Sequence, residues 1–163
     1  MTGPGEVMPE PDGDGVWLQY RRRYGVPVEE LWSALTEPER LAGWIGTWTG
    51  EPVVGGTVDF VMVADGETEP EPITIAECAP PHRLVVEWPV PDHARWRVEV
   101  TLEGHGGESE LLFVHRLSEP EALGDVGPGW QYYLDRLDAA LTGGTMPAWA
   151  DYYPALRETY EQA

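Results

Sequence analysis

Lysine does not occur in this sequence, and all ten of its basic residues are arginine. That absence removes Schiff-base chemistry and phosphate-loop nucleotide binding, both of which need a lysine amine. Against the ten arginines stand 29 Asp and Glu, a formal net charge of -19. A phosphate backbone or an anionic lipid surface would meet a repulsive field, so neither nucleic acid nor membrane is an expected partner. Cys78 is the single cysteine, which excludes an intramolecular disulfide and fits a reducing compartment. No stretch approaches the roughly 18 apolar residues of a membrane span, and MTGPGEVMPEPDGDG lacks the basic and apolar regions of a signal peptide. A cytoplasmic location is the expectation.

Signatures of familiar catalysis are missing as well. His82, His93, His105 and His115 fall in different segments, there is no Cys pair and no HExxH, so no metal site is expected. No G-x-S-x-G occurs, and Ser33, Ser109 and Ser118 have no evident histidine partner. GHGGES lacks the following helix and lysine of a phosphate loop and reads as a hairpin turn. No catalytic residue and no cofactor are assigned.

What is present is globular. The 163 residues suit one domain, 42% are apolar, and the aromatics are eight Trp and seven Tyr with two Phe. Trp and Tyr suit sites that are apolar at one end and wet at the other. Residues 1–14, rich in Gly, Pro, Asp and Glu without periodicity, read as a disordered leader. GVWLQYRRRY then alternates Val16, Leu18 and Tyr20 against Trp17, Gln19 and Arg21, as a half-buried strand does. After Pro27, the residues Val28, Leu31, Trp32 and Leu35 fall at helical spacing, and a second short helix follows through Leu41.

TVDFVMVA, ITIAEC, RLVVEW, RWRVEVTLE and ESELLFVHRL supply five more strands, about six in all, separated by Gly and Pro turns. Their clean alternation predicts an antiparallel sheet with one face on a core. After Pro128 the period changes, and Trp130, Tyr133, Leu134, Leu137 and Leu141 predict a helix that ends at Gly143-Gly144. It is the one predicted element long enough to cover the sheet. Residues 143–163 are expected to form a tail helix packed on a domain of residues 15–142.

VPVEELWSALTEPERLAGWIG, VGGTVDF, ECAPPHRLVVEW, LLFVHRL and GPGWQYYLDRLDAAL, in that order, resemble the SRPBCC or START-like superfamily. Within it the chain is most similar to the group related to the C-terminal domain of the activator of the ninety-kDa heat-shock protein ATPase. The resemblance implies an α+β helix-grip fold, a curved antiparallel sheet wrapped around the long C-terminal helix with a cavity between them. It also implies three roles: a small-molecule binding protein, a polyketide cyclase-like or small hydrolytic enzyme using the same cavity, or a chaperone-activator-like partner protein. Members that activate the chaperone carry an additional N-terminal domain, which residues 1–14 are too short to supply.

On that fold the expected cavity wall is Phe60, Met62, Trp88, Trp96 and Val98 from the sheet with Trp130, Tyr133, Leu134 and Leu137 from the helix. Trp32 is expected in the core, Trp44 and Trp48 at the cavity rim with Trp48 exposed in a Gly and Thr loop. His115 shares the inward face of its strand with Leu111 and Phe113 and is either a satisfied core imidazole or a polar anchor for a ligand. Arg22 follows Leu18 and Tyr20 on the alternation and calls for a carboxylate, from the protein or from a ligand. Cys78 reads as a small buried hydrophobe, and Glu67, Glu69 and Glu71 as solvated. The leading expectation is a cofactor-free protein that binds a small apolar or aromatic molecule. Trp48, Trp149, Tyr152 and Tyr153 are candidate dimer contacts, with monomer and homodimer both open.

Overall fold

The computed structural model of the chain describes residues 3–11, 13, 15–51, 53–62, 69–88 and 96–162. Eight strands are found in them: β1 (Glu6–Pro9), β2 (Val16–Tyr24), β3 (Gly46–Thr49), β4 (Thr57–Met62), β5 (Glu71–Ala79), β6 (Arg83–Trp88), β7 (Trp96–His105) and β8 (Glu108–Leu117). They form one sheet in the order β1-β2-β8-β7-β6-β5-β4-β3, antiparallel at every pairing. The helices are α1 (Val28–Thr36), α2 (Pro38–Leu41), α3 (Leu123–Thr142) and α4 (Arg157–Glu161).

Two strands exceed the expected six. β1 lies inside the expected leader, where Glu6–Pro9 pairs with Val16–Gln19 of β2 as a four-residue edge strand. β3 occupies the expected Gly and Thr loop and pairs Trp48 with Phe60. Neither segment carries a strand pattern of its own, and each is held by its neighbour's ladder. The sheet with its long helix is otherwise the α+β architecture that the sequence predicts.

Register sorts the side chains. In β7 and β8, Val98 pairs with His115 and Val100 with Phe113, and β2 continues the row with Leu18 and Tyr20. Paired residues share a face, so this row is the inner face, turned toward α3. The outer face is charged. There Glu99 is buried to 8% exposure among Arg83 at 2.8 Å, Arg97 at 3.7 Å and Arg116, and the Arg116 guanidinium lies 4.5 Å above the Trp17 ring.

α3 begins at Leu123 and runs through Pro128, earlier than the expected start after that proline. Pro128 lacks the N–H that would bond the Gly124 carbonyl four residues back, and glycines at 124, 127 and 129 disguise this turn as a loop in the sequence. Gly127 has a packing reason. A Cβ there would overlap the Tyr160 ring, so the absent side chain lets α4 close on α3. Gly143, in the left-handed conformation at φ 73°, ends the helix as expected.

The tail is a 3-10 turn at Trp149–Asp151 and the five-residue α4 rather than one continuous helix. Tyr152 and Tyr160 are buried, whereas Trp149 is 44% exposed and stacks on Tyr153 with centroids 5.5 Å apart. Tyr152 is therefore not a surface contact. No helix among the described residues is long and apolar enough to cross a membrane.

Candidate functional site

The inner face and α3 do not meet everywhere. Between them lies a cavity of about 410 Å³, walled by residues from α1, α2, each strand from β3 to β8, and α3 between Asp125 and Leu134. Its assembly begins at α1 and α2. Val28, Leu31, Ala34 and Leu35 bury one stripe of α1, and Leu35 and Leu41 reach the cavity. The C-terminal carbonyls of a helix have no intrahelical partner. The Trp44 indole Nε1–H donates to one of them, Ala34 O, at 2.8 Å. From the other side, Arg136 Nε of α3 donates to the Trp44 carbonyl at 2.8 Å. Trp44 is thus held at both ends, with its ring on the cavity wall.

Trp48 also lines the cavity but is 6% exposed, because β3 pairs with β4 and carries it inward; the exposed loop position expected for it is corrected. Trp32 is half-buried against the core cluster. The sheet contributes Phe60, Met62, Trp96 and Val98, and α3 contributes Trp130, Tyr133 and Leu134. Trp88 pairs with Trp96 through its backbone in β6, and its side chain lies outside the described residues.

Three expected site residues stand elsewhere. Leu137 is fully buried one turn beyond Leu134 and packs in the core rather than on the cavity. Arg22 is half-buried over the Tyr20 ring at 5.3 Å, and its guanidinium donates to Gly3 O at 2.8 Å and Arg21 O at 3.2 Å. Backbone carbonyls take the place of the expected carboxylate. His115 is inward and 0% exposed, but it sits behind the wall. The Trp130 indole Nε1–H donates to His115 Nδ1 at 2.8 Å, and Trp96 meets the imidazole edge-on with centroids 4.8 Å apart.

Burial lowers the His115 pKa from its ordinary value to about 3. At neutral pH the ring is uncharged, and with Nδ1 accepting from Trp130 its proton is on Nε2. An imidazole so placed is held neutral by burial and accepts the Trp130 indole N–H. Among the described lining residues the ionisable groups are Glu71, at the start of β5, Asp125, in the first turn of α3, and Tyr133. Both carboxylates are exposed and mark the mouth. Asp125 Oδ1 accepts from the Tyr153 hydroxyl at 2.8 Å. Among the described residues no group of three or more His, Cys, Asp or Glu is placed to hold a metal ion.

Sequence reasoning missed several wall residues. Val126 and Gly129 were hidden by the glycine and proline pattern that postponed α3. Glu71 read as a solvated turn residue, and it is solvated, but at the cavity mouth. Leu111 and Phe113 were legible on the inward face beside His115, and both line the cavity.

Comparisons with known proteins agree with this architecture. The family model described as Activator of Hsp90 ATPase homolog 1-like protein matches residues 25–142. No curated protein gives a significant match. The crystal structure of CalU16 from Micromonospora echinospora superposes with a TM-score of 0.79 at 27% identity, covering 97% of this chain and 95% of that one. The solution structure of the protein encoded by gene BPP1335 from Bordetella parapertussis gives 0.77 at 23% identity, with 99% and 95% covered. DynU16, from the dynemicin biosynthetic locus, gives 0.69 at 22% identity; 81% of this chain spans 49% of that one. The last two likenesses speak to the fold alone.

Proposed function

The chain belongs to the Activator of Hsp90 ATPase homolog 1-like family, and we propose that within it the chain binds a small apolar or aromatic molecule between the sheet and α3. One observation carries the reading, the cavity of about 410 Å³ with an aromatic and aliphatic wall. Left dry and empty, a void of that volume would cost on the order of 10 kcal/mol at the ~24 cal/mol per Å³ found for engineered cavities. That is comparable to the whole stability of a domain, about 5–15 kcal/mol. Water entering at the mouth reduces the cost but gains few hydrogen bonds from such a wall. An apolar occupant removes the cost and buries the rings, which is the usual composition of a small-molecule site.

Chemistry on the bound molecule would fall to the two mouth carboxylates, since His115 is neutral and engaged. The binding reading asks less of the residues present.

The test is a cavity-filling substitution. Leu134 is 1% exposed and lines the wall. Leu134→Trp is expected to fill the space, abolish the fluorescence enhancement of the neutral probe phenylnaphthylamine and leave the thermal melt unchanged or raised. Full enhancement in the folded variant would sink the proposed location.

A further inference from the structure

We infer that the molecule held in the cavity carries a positive charge, as a protonated amine on an apolar or aromatic frame whose charged end stays at the mouth. This rests on the binding reading above and adds the charge of the ligand to it. Three independent features of the wall point the same way.

The first is the sign of the charges that line the cavity. Among the described lining residues there is no arginine or histidine, while Glu71 from β5 and Asp125 from α3 bring carboxylates to the mouth. Asp125 is partly satisfied, by the Tyr153 hydroxyl at 2.8 Å and by Arg157 Nε at 4.0 Å. Glu71 forms no hydrogen bond or ion pair with a described residue, so its charge is available to a ligand. The N-terminus of α3 would by itself favour an anion. Asp125 stands in its first turn and already supplies that negative charge.

The second feature is where the indole donors point. An anionic or carbonyl-rich ligand would need N–H groups from the wall, but Trp44 Nε1–H is spent on Ala34 O and Trp130 Nε1–H on His115 Nδ1. Neither of these N–H groups is left for a ligand acceptor. The third is the number of aromatic rings on the wall. Four tryptophans, two phenylalanines and a tyrosine line the site. Aromatic faces carry the negative lobe of the ring quadrupole, and a cation within about 6 Å of a ring centroid is attracted to it. A chain of net charge -19 adds a long-range field of the same preference.

Placing the ammonium at the mouth keeps it hydrated, so little of the desolvation penalty of a buried charge arises. The frame goes inward. Selectivity then comes from the difference between a cation, a neutral group and an anion on one frame.

The experiment uses naphthalenemethylamine, naphthalenemethanol and naphthoate, titrated calorimetrically into the whole protein at neutral pH. The amine is expected to bind about tenfold tighter than the alcohol, with naphthoate weakest and the amine's advantage shrinking as salt is added. Glu71→Gln should remove most of the amine's advantage over the alcohol, each measured on the same variant. Equal binding of amine and alcohol, or tightest binding of naphthoate, overturns the charge assignment and leaves the binding reading intact. Failure of all three to bind overturns both.

Discussion

α3 has two unlike sides. Toward β2 and α4 it is filled and hydrogen-bonded. Tyr20 donates its hydroxyl to Gly127 O at 2.6 Å, Tyr160 donates to Gln131 Oε1 at 2.7 Å, the two tyrosine oxygens lie 3.0 Å apart, and Gly5 N–H donates to the Tyr160 oxygen at 2.9 Å. Further along, the Tyr152 hydroxyl reaches Asp135 at 2.6 Å. Burial raises the pKa of both Tyr20 and Tyr160, so these hydroxyls remain protonated donors. Toward β3 through β8 the same helix presents Trp130, Tyr133 and Leu134 to an open space. The difference shows how a hollow survives in a small domain. The filled side fixes where α3 sits, and so the other side cannot collapse onto the sheet.

The most disruptive way to break this contrast is Gly127→Val, which drives a branched side chain into the Tyr160 ring. Its expected cost is about 3 kcal/mol, read as a fall of roughly 10 °C in Tm. An unchanged melt would mean that α4 does not clamp α3.

The next effect depends on pH. His115 has a folded pKa of about 3 against an ordinary 6.5, so the unfolded chain binds the extra proton between these values and stability falls as pH drops through that window. Relative to His115→Gln, which keeps an acceptor for Trp130 but does not titrate, the protein should lose about 2 kcal/mol more between pH 7 and pH 5. Parallel denaturation curves at the two pH values would show that the imidazole is hydrated.

Tyr160→Phe deletes one hydroxyl of the filled side and leaves the Gln131 and Gly5 partners to find others, for a loss of about 1–2 kcal/mol. Phenylnaphthylamine binding to the folded variant should be untouched, and a parallel loss of binding would show the two sides to be coupled. Arg136→Met sharpens the contrast from the opposite side. It frees the Trp44 carbonyl and should weaken the probe by about fivefold with a change in Tm of a few degrees.

Much of this contrast was readable before the fold, and the unreadable part has specific causes. The alternation of Trp96, Val98 and Val100, and of Leu111, Phe113 and His115, placed the inner face directly, because a period of two leaves no other assignment. β1 and β3 were invisible since their short Gly-, Thr- and Pro-containing segments become strands only by pairing with β2 and β4. The first turn of α3 was hidden because the glycines that admit Tyr160 look like loop residues when Tyr160 is still remote in sequence. Leu134 and Leu137 show the deepest limit. They lie on one helix stripe with the same side chain, yet one lines the cavity and the other fills the core. Apolar pattern states that a residue faces inward, and shape decides whether anything meets it there.

The most direct test of the central claim is native mass spectrometry of the protein purified from its own host, set against the same sample denatured. The account predicts a discrete mass increment on the native chain that disappears on unfolding and belongs to an organic molecule small enough for a cavity of about 410 Å³. A chain at its bare sequence mass under both conditions, from cells in every growth phase, would contradict it.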